Sequence, residues 1–162
     1  MKYNITELLD QLVLHEGLEL LPYKDSLGID TIGIGRNLEH RGLSEEELGY
    51  MGKDISDLCE WGITKEQAYY LAENDIKIVE EEICKAHPCV LKLDEVRQRV
   101  LIDMAFNIGV PRLKKFVKMW QAIHDKDFEE AKAQMLDSRW ANQVGNRAVR
   151  LSNAMESGEW VY

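Results

Sequence analysis

The sequence predicts a mainly helical α+β fold of two lobes, a small one carrying a β-sheet and a larger one made of helices. Three observations predict it. An apolar stripe at helical spacing opens the chain, and a short stretch rich in glycine and β-branched residues follows it. Helix-capping signatures and helical apolar periodicity then continue to the C-terminus.

Taken in order, Ile5, Leu8, Leu9, Leu12 and Val13 fall on one helix face, with Asn4 or Thr6 as the cap and Gly17 as the stop. Tyr23-Lys24-Asp25 leads into Ser26-Leu27-Gly28, a turn signal. The run from Ile29 to Gly35 then reads as part of a β-hairpin or small sheet. Ser44 to Glu47 and Thr64 to Gln67 are capping boxes that open two helices. The second helix carries Ala68, Leu71, Ala72, Ile76, Val79 and Ile83 on one face to about Lys85, long enough to join two lobes.

His87-Pro88 breaks that helix, and Asp94 caps a segment that is apolar nearly all round from Val100 to Ile108. Such a helix is central and buried. Gly109 and Pro111 stop it; Leu113, Phe116, Val117, Trp120 and Ile123 mark one further helix, and Asp127 caps the next. The chain closes with Asn146 to Met155, whose apolar face is Ala148, Leu151 and Met155. The small lobe is expected over residues 14–63 and the helical lobe over 64–162, with helix 5–16 packed on the latter.

The 162 residues suffice for one domain, or two small lobes sharing a core. A formal net charge of -9 argues against nucleic acid as a partner, because phosphate neutralisation needs clustered Lys and Arg. The charge is uneven. Glu39 to Glu82 holds 13 acids and 4 bases, and Arg112 to Arg150 holds 9 bases and 5 acids. The basic third could attract an acidic polymer, although most of these charges read as solvated helix faces. Asp10, Gln11, His15 and Glu16 interrupt the apolar opening, so neither a secretion signal nor a membrane span is expected. Cys59, Cys84 and Cys89 are an odd set that fits a reducing cytoplasm. Cys84-Lys-Ala-His87-Pro-Cys89 has unconventional ligand spacing and no partner pair, so it reads as free thiols near a helix end, with no metal.

Glu16 is the telling residue. The stripe 5, 8, 9, 12, 13 continues to it, which puts a carboxyl on the inward face at the negative end of a helix, a setting that favours a proton donor. The competing reading is a buried salt bridge with Arg147 or Arg150. Asp25 lies nine residues on, ahead of a tight turn, and Thr31 offers a hydroxyl on the strand beyond. Taken alone, Asp25 is a turn-capping residue. Two carboxylates in unlike settings are also the equipment of glycoside hydrolysis, in which one protonates the leaving oxygen and the other activates water or attacks carbon. Gly33-Ile34-Gly35 adds backbone that could approach a ligand closely.

The stretch His15-Glu-Gly-Leu-Glu-Leu-Leu-Pro-Tyr-Lys-Asp25 with Thr31-Ile-Gly-Ile-Gly35 resembles the phage-type lysozymes, or endolysins. Gly62 to Glu66, Asp103 to Gly109, Ser138 to Gln143 and Asn146 to Ala148 continue the resemblance through nearly the whole chain. The resemblance implies a monomeric, inverting muramidase with a cleft between its lobes and no cofactor. Its substrate would be the β-1,4 bond between N-acetylmuramic acid and N-acetylglucosamine in bacterial peptidoglycan. By the same resemblance, Glu16 matches the general acid, Asp25 the second carboxylate, and Thr31 the hydroxyl that helps place the attacking water. Arg147 matches an arginine paired with the catalytic Glu, Asn107 a cleft position that reaches substrate, and Trp140 a core position. Accumulation in the host bacterial cytoplasm and passage to the wall through a separate pore-forming protein are further expectations. Two rivals are a lytic transglycosylase and an inactive wall-binding or virion module. Two departures stand out: Arg36 replaces a histidine of the family's best-known member, and that member is basic where this chain is acidic.

Overall fold

A computed structural model describes all residues, Met1–Tyr162. The chain forms α1 (Ile5–Glu16), β1 (Glu19–Lys24), β2 (Asp30–Gly33), β3 (Arg36–Asn37), α2 (Glu45–Met51), α3 (Ile55–Trp61) and α4 (Lys65–Ala86). A 3-10 turn (Pro88–Lys92) precedes α5 (Glu95–Ile108), α6 (Val110–Leu113), α7 (Val117–His124), α8 (Phe128–Leu136), α9 (Arg139–Val144) and α10 (Asn146–Ser157). This is the mainly helical α+β architecture that the periodicity predicts. Its three strands pair antiparallel in the order β1-β2-β3.

The chain divides into two compact units, one of residues 9–77 and one of residues 1–8 with 78–162. The boundaries between these units fall within α1 and α4. The reason lies in the first half of α4, where Ala68 and Leu71 join Ile32, Met51, Leu58 and Ile63 in the sheet unit's core. Leu18, Leu38, Leu43, Leu48 and Tyr70 flank that core.

Local capping sets the helix starts. Asn4 Oδ1 accepts from the amides of Thr6 (3.0 Å) and Glu7 (3.3 Å), so Asn4 rather than Thr6 begins α1. Thr64 and Gln67 close a reciprocal box at α4, at 3.1 and 3.0 Å. At α2 only half of the box forms. Ser44 accepts from the Glu47 amide at 3.1 Å, while the Glu47 carboxylate turns away to Arg36. A box that the sequence analysis overlooked, between Asp54 and Asp57, opens α3.

In the helical unit every residue of α5 from Gln98 to Ala105 is buried, as expected for a central helix. Helix α5 packs on α6 and α10, and α8 packs on α7, α9 and α10. The single helix expected from Leu113 to Ile123 is two, α6 and α7. The Leu113 carbonyl is taken by the indole Nε1 of Trp120 at 3.0 Å and by the Phe116 amide at 3.2 Å, which ends α6. Trp120 also stacks on His87 with ring centroids 3.7 Å apart, so the histidine between the two cysteines is spent on packing. Cys84 and Cys89 are half-buried and Cys59 is exposed, all as free thiols. Trp120 and Trp140 are each 5% exposed, whereas Trp61, at the end of α3, is 73% exposed.

After α3 the chain passes tightly over β1: the Ile63 amide donates to the Leu20 carbonyl at 2.8 Å. Gly62 has φ +73°, and a methyl group there would collide with that carbonyl oxygen. Gly62→Ala should therefore cost at least about 2 kcal/mol, read as a melting temperature lower by roughly 4–8 °C. Gly49 lies within α2 with open space around it. Gly49→Ala should be neutral or slightly stabilising, and equal melts for the two variants would contradict this account.

Candidate active site

Glu16 is the last residue of α1, and Gly17 at φ +80° ends the helix with its amide on the Val13 carbonyl at 2.9 Å. The stripe leading to it is buried at Leu8, Leu9 and Leu12, while Glu16 itself is half-buried. Its carboxyl rests against the backbone of Gly35. A methyl group at residue 35 would lie 3.3 Å from Glu16 Oε2 and 3.6 Å from its Cβ. Gly35 has φ +67°, so both conformation and space favour glycine. The glycines of Gly33-Ile34-Gly35 thus let backbone approach the protein's own side chains: Glu16 at Gly35, and Ala68, 3.5 Å from a methyl at Gly33.

Asp25 directly follows β1. Its Oδ1 accepts from the amides of Leu27 (2.8 Å) and Ile29 (2.9 Å), the turn-capping geometry its position suggests. Both bonds go to one oxygen, and Oδ2 takes no part in the turn. The Asp25 amide also donates to the Ile29 carbonyl at 2.9 Å. Thr31 in β2 is 4% exposed and its Oγ1 donates to the Ile29 carbonyl at 3.0 Å. With its hydrogen committed there, the hydroxyl retains acceptor capacity.

Tyr23 is a member of this group that the sequence analysis passed over. It pairs directly with Thr31 across β1 and β2, so the two side chains share a face of the sheet. Burial, followed by the charges of Glu16, Glu19 and Asp25, pushes its phenol above the usual tyrosine range. One hydroxyl therefore feels both candidate carboxylates. The available signal was its nearness in sequence to Asp25, two residues on.

Arg36 begins β3 and is 2% exposed. Its Nε donates to Asp75 at 2.8 Å and its Nη1 to Glu47 at 2.6 Å; Arg41 pairs with the same two carboxylates at 3.2 and 3.4 Å. Burial opposes the charge on Arg36, but the bonds and charges of Glu47 and Asp75 outweigh it and hold the guanidinium above its ordinary pKa. The position that departs from the family's best-known member therefore carries an ion-pair network of its own.

In the helical unit, Arg147 of α10 is 7% exposed and donates from Nε to Asp103 Oδ1 at 2.9 Å and from Nη2 to the Asp103 carbonyl at 3.2 Å. Asp103 is wholly buried in α5. Asn107, also on α5, is exposed, and its Oδ1 accepts from Trp140 Nε1 at 2.9 Å. Trp140 is a core residue, met edge-on by Phe116 at 6.2 Å. Beside them opens a pocket of about 700 Å³ whose lining includes Arg112, Lys115, Lys118 and Arg139 with a single acid, Asp137.

The family model described as Phage lysozyme matches residues 13–155. The chain is 30% identical to Probable T4-type lysozyme 1 of Dictyostelium discoideum, covering 95% of this chain and 96% of that protein. It is 29% identical to Probable T4-type lysozyme 2 of the same organism, over the same shares. It is also 31% identical to the pre-baseplate central spike protein Gp5 of Enterobacteria phage T4, over 88% of this chain and 26% of that protein. With a half-buried helix-end glutamate, a turn-fixed aspartate and this match over most of its length, the chain belongs to the phage lysozyme family of peptidoglycan hydrolases.

Proposed function

We propose that this protein is an inverting muramidase that cuts the β-1,4 bond between N-acetylmuramic acid and N-acetylglucosamine during bacterial cell lysis. The observation that carries the reading is that one unit of the fold, residues 9–77, holds both a half-buried helix-end carboxyl, Glu16 resting against Gly35, and a turn-fixed carboxyl, Asp25. Two carboxyl groups in such unlike settings are what an acid and a base acting on one bond require.

In the proposed reaction Glu16 gives its proton to the glycosidic oxygen as that oxygen leaves the anomeric carbon, which takes on oxocarbenium character. A water held by Asp25 Oδ2 and the acceptor face of Thr31 attacks the opposite side of the sugar. Its oxygen bonds to the anomeric carbon, and its proton passes to Asp25. Preorganisation supports this division of labour, because the Leu27 and Ile29 amides and the Ile29 carbonyl fix Asp25 and Thr31 before substrate arrives. On the helical unit, Asn107 is proposed to bind the glycan. The indole of Trp140 donates to its oxygen, and the amide nitrogen of this exposed side chain is the donor offered to a sugar.

Turbidity loss of outer-membrane-stripped Gram-negative cells measures the activity. Glu16→Gln should fold normally and lose about 10²–10⁴-fold in turnover; activity within tenfold of the parent would refute the donor assignment. Asp25→Asn keeps the oxygen that caps the turn, so its melt should stay within a few degrees while turnover falls by about 10²-fold or more. Thr31→Val should behave similarly with a smaller loss. Full activity in both variants would remove water positioning from the mechanism. Mass spectrometry of the products distinguishes free reducing ends, as expected, from the anhydro ring of a transglycosylase, and NMR of the fresh product reads the anomer.

A further inference from the structure

We propose that Arg36 is a positioning residue for Glu16, acting through the turn Gly33-Ile34-Gly35; the inference rests on the reading of Glu16 as proton donor. Arginine has five N–H donors, and here all five are used. Nε donates to Asp75 Oδ2 at 2.8 Å. Nη1 donates to the Gly42 carbonyl at 3.1 Å and Glu47 Oε2 at 2.6 Å, and Nη2 to Glu47 Oε1 at 3.4 Å and the Leu71 carbonyl at 3.0 Å. A guanidinium held at every donor has one orientation, and it fixes the start of β3 to α2, to α4 and to the loop at Gly42.

The turn begins on the other side of that anchor. Ile32 pairs with Arg36 across β2 and β3, leaving residues 33–35 as a three-residue connection. Ile34 at its centre is 2% exposed. The Arg36 anchor and the burial of Ile32 and Ile34 hold Gly35 still, and Gly35 is the wall on which the Glu16 carboxyl rests. A general acid misplaced by even 1 Å can lose about 10²-fold in rate. The side chain that secures this wall therefore contributes to catalysis without touching substrate. Lysine has three donors on a flexible stem and cannot reproduce the arrangement.

The test compares Arg36→Lys and Arg36→Met with Gly62→Ala, a variant that weakens the same unit away from the turn, all well below their melting temperatures. Arg36→Lys should lose at least about tenfold in kcat with KM on cell walls unchanged, Arg36→Met more, and Gly62→Ala little. The Gly35 resonances provide a second readout. Their shifts should respond to Glu16→Gln in the parent background, and most of that response should be lost when Arg36→Lys is also present. A kcat for Arg36→Lys within twofold of that for Gly62→Ala, or a Gly35 response to Glu16→Gln that survives Arg36→Lys, overturns the proposal. If neither Arg36 variant folds, Asp75→Asn weakens the same anchor and should show both effects in smaller measure; its failure to show either is equally decisive. If Glu16→Gln stays active, the donor assignment itself is wrong, while the Gly35 response to that substitution still reports whether Arg36 holds the turn.

Discussion

A buried guanidinium shared between two carboxylates organises the sheet unit. Arg36, Glu47 and Asp75 come from β3, α2 and α4, and Arg41 closes the network from the loop between. Two cations and two anions cancel, so the group adds no net charge to the interior. Its weight comes from the penalty of breaking it. Removing one partner from a buried pair costs about 3–5 kcal/mol, against a total stability of roughly 5–15 kcal/mol for an ordinary domain. Apolar contacts between Ile32, Leu58 and Leu71 supply the collapse. The fork of Arg36, matched to five acceptors, selects one placement of the β3 hairpin. The site inherits that placement through Gly35.

Locally encoded features were legible in the sequence, and those assembled at long range were not. The Thr64–Gln67 box and the Asp94 cap are short-range patterns and form as read, and the stripe leading to Glu16 is buried at Leu8, Leu9 and Leu12 while Ile5 stays exposed. Asp25 showed both of its sides: a turn-capping residue by position and a candidate carboxylate by chemistry. Glu47 was misread, because its spacing from Ser44 suits a capping box while its partner is 11 residues back at Arg36. The division of Leu113 to Ile123 into two helices was hidden for the same reason. No glycine or proline lies between those residues, and the helix ends because an indole from the next helix competes for the Leu113 carbonyl. Arg36 was visible as an oddity, but its partners at 47 and 75 follow no periodicity.

The acidic middle of the sequence also reads differently in three dimensions. Glu47 and Asp75 face Arg36 and Arg41, and Glu80 receives the amino terminus at 2.7 Å and the Tyr3 hydroxyl at 2.6 Å. Part of the negative surplus is thus internal structure, not solvated surface. The basic residues around the pocket at Arg112 and Arg139 stay open to solvent. An overall acidic chain can in this way keep a locally positive face, and its attraction to an anionic wall depends on that face more than on net charge.

The distribution of tryptophan has an optical consequence. Trp61 is exposed in the sheet unit; in the helical unit Trp120 and Trp140 are buried, one stacked on an imidazole and the other bonded to Asn107, and Trp160 is half-buried against Tyr162. Emission from a water-facing indole lies to the red of emission from a buried one and is open to quenching by iodide or acrylamide. The intrinsic fluorescence of the chain therefore carries two colours with different origins. Loss of the blue component reports the helical unit, and with Trp160 replaced by phenylalanine, quencher access at the red edge reports the surface beside β1. Without any added dye, a single denaturation experiment can follow two parts of the molecule separately.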